Sequence, residues 1–576
     1  MSTHAIFRVP EPYNEPVRSY APGSPEREEL RLRLQQLESQ QLDIPLVIGG
    51  EEVRTGDTFD AVMPHRRSHV LATVHKGGPN EVERAIAASQ KAAADWSRTP
   101  WEERATILLR AAELLAGPWR QTLNAATMLG QSKTAHQAEI DSACELIDFW
   151  RFNVKYMTRI YEEQPVSSPG VWNRLEYRPL EGFVFAVTPF NFTAIAGNLP
   201  TSAALMGNTV IWKPASSAAY SAHFLMKLYE EAGLPPGVIN LVYGSGAEVG
   251  DPALASPNLA GIHFTGSTAV FNGMWRTVAS NLDTYRNYPR IVGETGGKDF
   301  IVAHPSADPA AVATAIMRGS FEYQGQKCSA ASRLYMPSNL WPEVRDRLVQ
   351  EVGTMKVGDV SDFGNFMGAV IDANSFKTQK GAIDEANAKD SKASVLVGGG
   401  YDDSDGWFVE PTVIETTDPE FRTMKEELFG PVVTAYVYDE KRYDDTLDLI
   451  DAGAPYGLTG AVFARDRDAV ATAQERLRYA AGNFYVNDKP TGAVVGQQPF
   501  GGARASGTND KAGSMWNLIR WVSPRTIKEL FVPPTGPRWP RRSTGCASRP
   551  GTSTSTTSRP GPWSGASRSG ARAARA

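Results

Sequence analysis

Three residues of this 576-residue chain have the types and surroundings needed for covalent chemistry on a carbonyl carbon. Cys328 sits in the polar stretch Gly325-Gln326-Lys327-Cys328-Ser329-Ala330, and Glu294 lies 34 residues upstream in Gly293-Glu294-Thr295-Gly296-Gly297-Lys298. Asn191 follows Thr188-Pro189-Phe190, just after an apolar run. A thiol can attack the carbonyl, an amide N–H can hold the oxyanion, and a carboxylate can activate water. In acyl-transfer enzymes one such oxyanion donor is worth about 3–4 kcal/mol. A neighbouring cation such as Lys327, or a helix starting at the thiol, would lower its pKa. Partial burial of Glu294 behind Ile291-Val292 would raise its carboxyl towards the range of a general base. Gly296-Gly297 would let the backbone approach a ligand closely.

Each has a plainer reading. A lone cysteine is usually a small buried hydrophobe, Glu294 could be a solvated surface carboxylate, and Asn191 a turn residue. Cys328 departs from its plain reading because polar residues and glycine surround it. Cys144, at helical spacing with Leu146, does not, and Cys546 lies in a low-complexity tail. The eight histidines are scattered, so no metal-ligand spacing appears and a Cys–His hydrolase lacks a visible partner. Gly244-Ser245-Gly246-Ala247-Glu248-Val249-Gly250 is a weak dinucleotide fingerprint, its last glycine one position late. Phe264-Thr265-Gly266-Ser267, at a strand end opening towards a helix, is the better anion site.

From Phe183 to Glu294 short apolar runs alternate with helical stretches. Strands are expected at 183–187, 210–212, 238–242 and 262–264, with a helix over 218–233 between them. Such alternation indicates a doubly wound parallel sheet, whose ligands sit at the carboxyl ends of the strands. Thr188, Lys213, Gly266 and Ser267 would fall there. A second α/β set follows from about 300 to 488, with strands at 334–336, 432–438, 459–463 and 483–486. Upstream, Asn80 with Glu83 resembles a capping pair, and Thr99-Pro100-Trp101-Glu102 a capping box with proline at the first helical position. The expected division is a surface arm over 1–45, with a short charged helix over about 25–41. A cofactor-binding domain over 46–165 and 183–299 and a catalytic domain over 300–505 follow. Strands at 166–182 and 506–535 would mediate oligomerisation, leaving a disordered tail over 536–576.

Composition narrows the function classes. With 41% hydrophobic and 10% aromatic residues the chain has the make-up of a multidomain globular enzyme. No run of about 18 apolar residues marks a membrane span. The first 20 residues show no signal or transit pattern. Three widely spaced cysteines suit a reducing compartment, so a cytoplasmic location is expected. The net charge of −5 gives no reason to expect nucleic acid. Residues 536–576 carry eight Arg and no Lys, Asp or Glu, which leaves −13 on the rest.

Six segments fall in the order of a known superfamily. They are Thr188-Pro189-Phe190-Asn191-Phe192, Trp212-Lys213-Pro214-Ala215, Phe264-Thr265-Gly266-Ser267, Glu294-Thr295-Gly296-Gly297-Lys298, Gly325-Gln326-Lys327-Cys328 and Glu427-Leu428-Phe429-Gly430-Pro431. The chain resembles the aldehyde dehydrogenases over about residues 10–535. The stretches Asn14-Glu15-Pro16-Val17, Glu145-Leu146-Ile147-Asp148-Phe149 and Gly496-Gln497-Gln498-Pro499-Phe500 are similar to the branch that oxidises L-glutamate γ-semialdehyde.

That resemblance implies an α/β fold with a doubly wound cofactor domain, a second α/β catalytic domain and a small β oligomerisation flap. It implies NAD as cofactor, with NADP use left open because Ser216 stands where many relatives carry glutamate. It implies Cys328 as nucleophile, Asn191 as oxyanion donor and Glu294 as the base. Cofactor contacts would come from Thr188, Lys213, Gly266, Ser267, Val270, Glu427 and Phe429. The substrate would meet Ser329, Gly492, Ala493 and Phe500. A small-molecule substrate and a homodimer or higher homo-oligomer are implied. A different semialdehyde, or a cysteine-dependent acyl hydrolase without a redox step, stays open as the alternative.

Overall fold

The computed structural model describes residues 6–531, so Cys546 and the segment 536–576 lie outside the described residues. Two seven-stranded sheets dominate. In the first, Arg290–Glu294, Leu259–Thr265, Phe183–Thr188, Thr209–Pro214 and Ile239–Leu241 run parallel in that order, and Leu46–Ile48 and Glu51–Val53 extend it antiparallel. The central strands are almost wholly buried, because helices cover both faces of the parallel part. This is why they read as continuous apolar runs.

In the second sheet the order is Ala393–Val397, Thr412–Thr416, Val432–Tyr438, Ala331–Pro337, Asp299–Ala303, Thr459–Phe463 and Asn483–Val486. Only Ala393–Val397 is antiparallel to its neighbour. Separate apolar clusters fill its two faces, one around Ile301, Leu334 and Val433, the other around Phe300, Tyr335 and Val462. The last strand of the first sheet and an inner strand of the second, Arg290–Glu294 and Asp299–Ala303, are separated by only Thr295-Gly296-Gly297-Lys298. The glycine-rich turn thus links the two sheets.

Contact density gives two units. The larger, residues 1–166 and 173–528, holds both sheets and every candidate site residue; the smaller is 167–172 with the segment from 529. In the smaller, the Phe531 N–H donates to the Gly170 carbonyl at 3.0 Å. Strands Val171–Pro179 and Val522–Leu530 form a two-stranded sheet of their own. The strand starts only at Val522; Ser506 to Lys511 instead pack on the glycine-rich turn and the strand ends beside it. Thr295 N–H donates to the Ser506 carbonyl at 3.0 Å, and the Gly293 N–H to Thr508 Oγ1 at 3.0 Å.

Three local expectations are corrected. The helix Pro79–Trp96 is capped by Gly78 with Glu81, whose carboxylate accepts from the Gly78 N–H at 2.9 Å, and not by Asn80 with Glu83. Proline at the first helical position moves the cap one residue before it. The helix Trp101–Ala116 starts after Pro100 with no side-chain cap, because the Thr99 hydroxyl donates back to the Asp95 carbonyl at 3.1 Å. The arm over 1–45 is not simply superficial: Tyr20, Leu30, Leu34 and Leu37 are buried, and Leu42–Ile44 joins a three-stranded sheet with Thr58–Met63 and Arg66–His75.

Candidate active site

The registers of the first sheet bring chemistry to one edge. Thr188 stands opposite Pro214, Val187 opposite Lys213, and Thr265 opposite Glu294, all at carboxyl ends of parallel strands. Ser267 caps the helix Thr268–Ser280, its hydroxyl accepting from the Val270 N–H at 3.4 Å. A cavity of about 750 Å³ opens along this edge. All seven candidate cofactor residues line it, as do Asn191 and Cys328.

Its lining suits a dinucleotide. Lys213 is half-buried, its ammonium has no ion-pair partner among the described residues, and burial alone lowers its pKa. A Cβ on Gly246, Gly250 or Gly273 would point into open space, so the backbone is bare where these residues meet the cavity. The Glu427 carboxylate accepts from the Gly297 N–H at 2.8 Å, and burial pushes its pKa up to about 7. Phe429, held at φ +56°, packs edge-on against Phe190 at 5.8 Å between centroids. Ser216 lies in a short turn, exposed and outside the lining. The π-turn Gly246–Gly250 contributes Gly246 and Gly250 to the wall.

The thiol is delivered by a strained loop. Tyr323, Gln324 and Gly325 all have left-handed φ, of 53°, 54° and 63°. Such backbone persists only when its surroundings hold it. Tyr323 Oη donates to the Gln131 carbonyl at 2.9 Å, and Gln324 Nε2 to the Ser132 and Ala369 carbonyls at 2.9 and 2.7 Å. A Cβ at Gly325 would meet the Gly430 carbonyl oxygen at 2.3 Å, so glycine is required there. Asn191, nearly inaccessible, donates through Nδ2 to the Gln326 carbonyl at 3.0 Å. That bond ties the amide to the cysteine loop and leaves its second N–H without a partner among the described residues.

The sign of the thiol's pKa shift reverses the expectation. Burial, then the carboxylates of Asp299, Glu427 and Glu294, push Cys328 well above its ordinary value. Lys327 precedes it, but the ammonium turns away to Asp141 and Glu322 at 3.5 and 3.6 Å. No helix begins at the thiol either; Cys328 lies between a short 3-10 turn and the strand Ala331–Pro337. Burial and the neighbouring carboxylates both disfavour the thiolate.

Glu294 supplies the opposite environment to a surface carboxylate. Burial raises its pKa well above the ordinary range, opposed by the Gly502 N–H and the Lys511 ammonium. Its Oε2 is buried with no hydrogen-bond partner among the described residues. It faces a second cavity, of about 260 Å³, that also holds Ser329, Gly492, Ala493 and Phe500. Ser329 and Thr491 hydroxyls lie 2.7 Å apart there. Cys328 lines both cavities, whereas Asn191 lines only the first and Glu294 only the second. The residues singled out in the sequence are therefore all brought to two adjoining chambers. Missed were Thr491, Lys511, Asp299, and Asn14, Glu15 and Val17 of the arm. The arm's similarity to the semialdehyde branch was the one signal that could have marked it.

The model of the aldehyde dehydrogenase family matches residues 52–527. The chain belongs to the aldehyde dehydrogenase family. Among its relatives, the Δ1-pyrroline-5-carboxylate dehydrogenase of Agaricus bisporus is 52% identical, over 92% of this chain and 97% of that protein. The mitochondrial Δ1-pyrroline-5-carboxylate dehydrogenase of Homo sapiens is 49% identical, over 90% of this chain and 92% of that protein. The crystal structure of the Mycobacterium tuberculosis Δ-pyrroline-5-carboxylate dehydrogenase bound with NAD superposes with a TM-score of 0.89 at 55% identity, covering 93% of this chain and 99% of that one. Among the described residues no helix is long and apolar enough to cross a membrane, and no cluster of side chains could hold a metal ion.

Proposed function

We infer that this chain oxidises L-glutamate γ-semialdehyde, the ring-opened form of Δ1-pyrroline-5-carboxylate, to L-glutamate with NAD, a step of proline breakdown. Relatives at about half identity over nearly the whole chain support this reading. The observation that carries it is the position of Cys328 between the two cavities. A thiol there can meet an aldehyde from one side and a hydride acceptor from the other.

Lys213 and Glu427 would hold the two riboses of the dinucleotide, and the backbone at Gly266-Ser267 its pyrophosphate. Thr188, Val270 and Phe429 complete that wall. When bound, NAD supplies the hydride acceptor. On the protein side, the Cys328 thiol gives up its proton to solvent, and the sulfur adds to the aldehyde carbon. The free N–H of Asn191 and the Cys328 backbone N–H stabilise the oxyanion. After the hydride leaves, a thioester remains on Cys328. Glu294 then takes a proton from water as its oxygen attacks, and L-glutamate departs as the thiol is regenerated. Ser329, Gly492 and Ala493 would hold the substrate carboxylate, with Phe500 against its methylenes.

The assay compares kcat/KM for glutamate semialdehyde and succinate semialdehyde, with NAD and with NADP. Preference for succinate semialdehyde would overturn the substrate, and aldehyde turnover without NADH would point to an acyl hydrolase. We propose a homodimer or higher oligomer assembled through the strands Val171–Pro179 and Val522–Leu530, which form a two-stranded sheet of their own. A cytoplasmic setting suits the two free cysteines of the described residues, Cys144 and Cys328, although several eukaryotic relatives are named as mitochondrial.

A further inference from the structure

The loop over 487–498 carries Gly492 and Ala493 yet belongs to no helix or strand. Gly492 itself has φ +90°. Something outside the loop must fix its distance from Cys328. At one end the Ser329–Thr491 hydroxyl bond does so. At the other end the partner comes from nearly 500 residues away in sequence.

Asn14 spends both ends of its amide on this junction. Its Nδ2 donates to Asp148 Oδ2 at 2.8 Å and to the Val495 carbonyl at 2.8 Å, and its Oδ1 accepts from Gln497 Nε2 at 2.9 Å. The Glu15 N–H adds a bond to Asp148 Oδ1 at 2.7 Å. The arm is itself anchored: the Glu15 carboxylate lies between Arg120 at 2.6 Å and Arg151 at 2.8 Å. Asn14, Glu15 and Val17 form part of the wall of the 260 Å³ cavity.

We propose that Asn14 is a positioning residue for substrate specificity. By bridging the helix Glu145–Glu162 to the loop over 494–497, it sets where Gly492 and Ala493 meet the carboxylate end of the substrate. The proposal rests on the reading of that loop as the carboxylate site. It makes the N-terminal arm a determinant of which aldehyde is accepted, without contact to the reacting atoms.

The test uses the full chain with Asn14→Ala and, at an exposed position that leaves the fold intact, Gln497→Ala. KM and kcat are measured for glutamate semialdehyde and for propanal, which has no carboxylate to be held. Loss of the charge-assisted bridge should raise KM for the semialdehyde about tenfold in Asn14→Ala and about threefold in Gln497→Ala. The kcat for the semialdehyde and both constants for propanal should stay within a factor of about two of wild type, the spread usual for a change that touches neither. Equal effects on both aldehydes, or an unchanged semialdehyde KM in Gln497→Ala, would overturn the proposal and leave the enzymatic reading standing. A wild-type chain that does not turn over the semialdehyde would overturn both.

Discussion

Replacing Glu294 by glutamine isolates the base from everything else that side chain does. The amide has the carboxylate's shape, and its oxygen can still accept from the Gly502 N–H that faces Glu294. Among the described residues Oε2 has no partner to lose. Glycine at 501, where a Cβ would lie 2.9 Å from Glu294 Oε1, leaves space for either side chain. What disappears is basicity. Positioned general bases contribute about 10²- to 10⁴-fold, so deacylation should slow by that factor, a barrier increase of roughly 3–5 kcal/mol. Rapid mixing with saturating NAD and semialdehyde should then show an NADH burst near one equivalent per site, followed by a steady state slowed to that extent. The pH profiles separate the groups. Glu294 works only when ionised, and its pKa is raised, so wild-type turnover should climb with pH through a range above that of an ordinary carboxylate. In Glu294→Gln that rise should vanish from the steady state. The burst rate should still climb with pH, because the raised thiol of Cys328 must also ionise. Equal loss of burst and steady state would refute the assignment of Glu294 to hydrolysis.

Ser329→Ala removes one member of the hydroxyl pair with Thr491, and should raise KM for glutamate semialdehyde about tenfold while sparing a simple aliphatic aldehyde; equal effects on both in steady-state kinetics would count against a carboxylate contact. Gly296→Ala would place a Cβ 2.1 Å from Glu427 Oε2, so Glu427 must leave the Gly297 N–H and dinucleotide affinity should fall, as read by fluorescence titration with NAD. Glu145 is raised by burial, and next by Asp141, to about 8. Between its ordinary value of 4.5 and about 8 the folded chain keeps a proton that the unfolded chain has released, so stability falls as pH rises. Glu145→Gln should therefore raise the melting temperature at pH 8 more than at pH 5, as checked by thermal melts.

Several inner strands were legible because parallel sheets covered on both faces leave uninterrupted apolar runs, as in Phe183–Thr188 and Thr459–Phe463. The inner strands Asp299–Ala303 and Thr412–Thr416 were not read from the sequence. The small three-stranded sheet was not legible either: its middle strand, Arg66–His75, mixes polar and apolar residues with burial on no regular period. The chemical residues were legible as motifs, since glycines around Cys328 and Glu294 are needed where backbones meet closely. Spacing along the chain says nothing of direction, however. Lys327 adjoins Cys328 in sequence, and its charge goes to Asp141 and Glu322 instead. Long-range pairing hides in the same way. Asn14 and Glu15 look like solvated arm residues until Asp148, Arg120 and Arg151 are placed beside them. Thr491 gains meaning only from Ser329, 162 residues earlier.

The sharing of Cys328 between two chambers has a consequence for how the protein can be blocked. A reactive probe shaped like the dinucleotide and one shaped like an amino acid would arrive at the same sulfur by different doors. NAD should protect the thiol from the first and glutamate from the second, with little cross-protection. The two protection patterns would report which door a given inhibitor uses, without a structure of its complex.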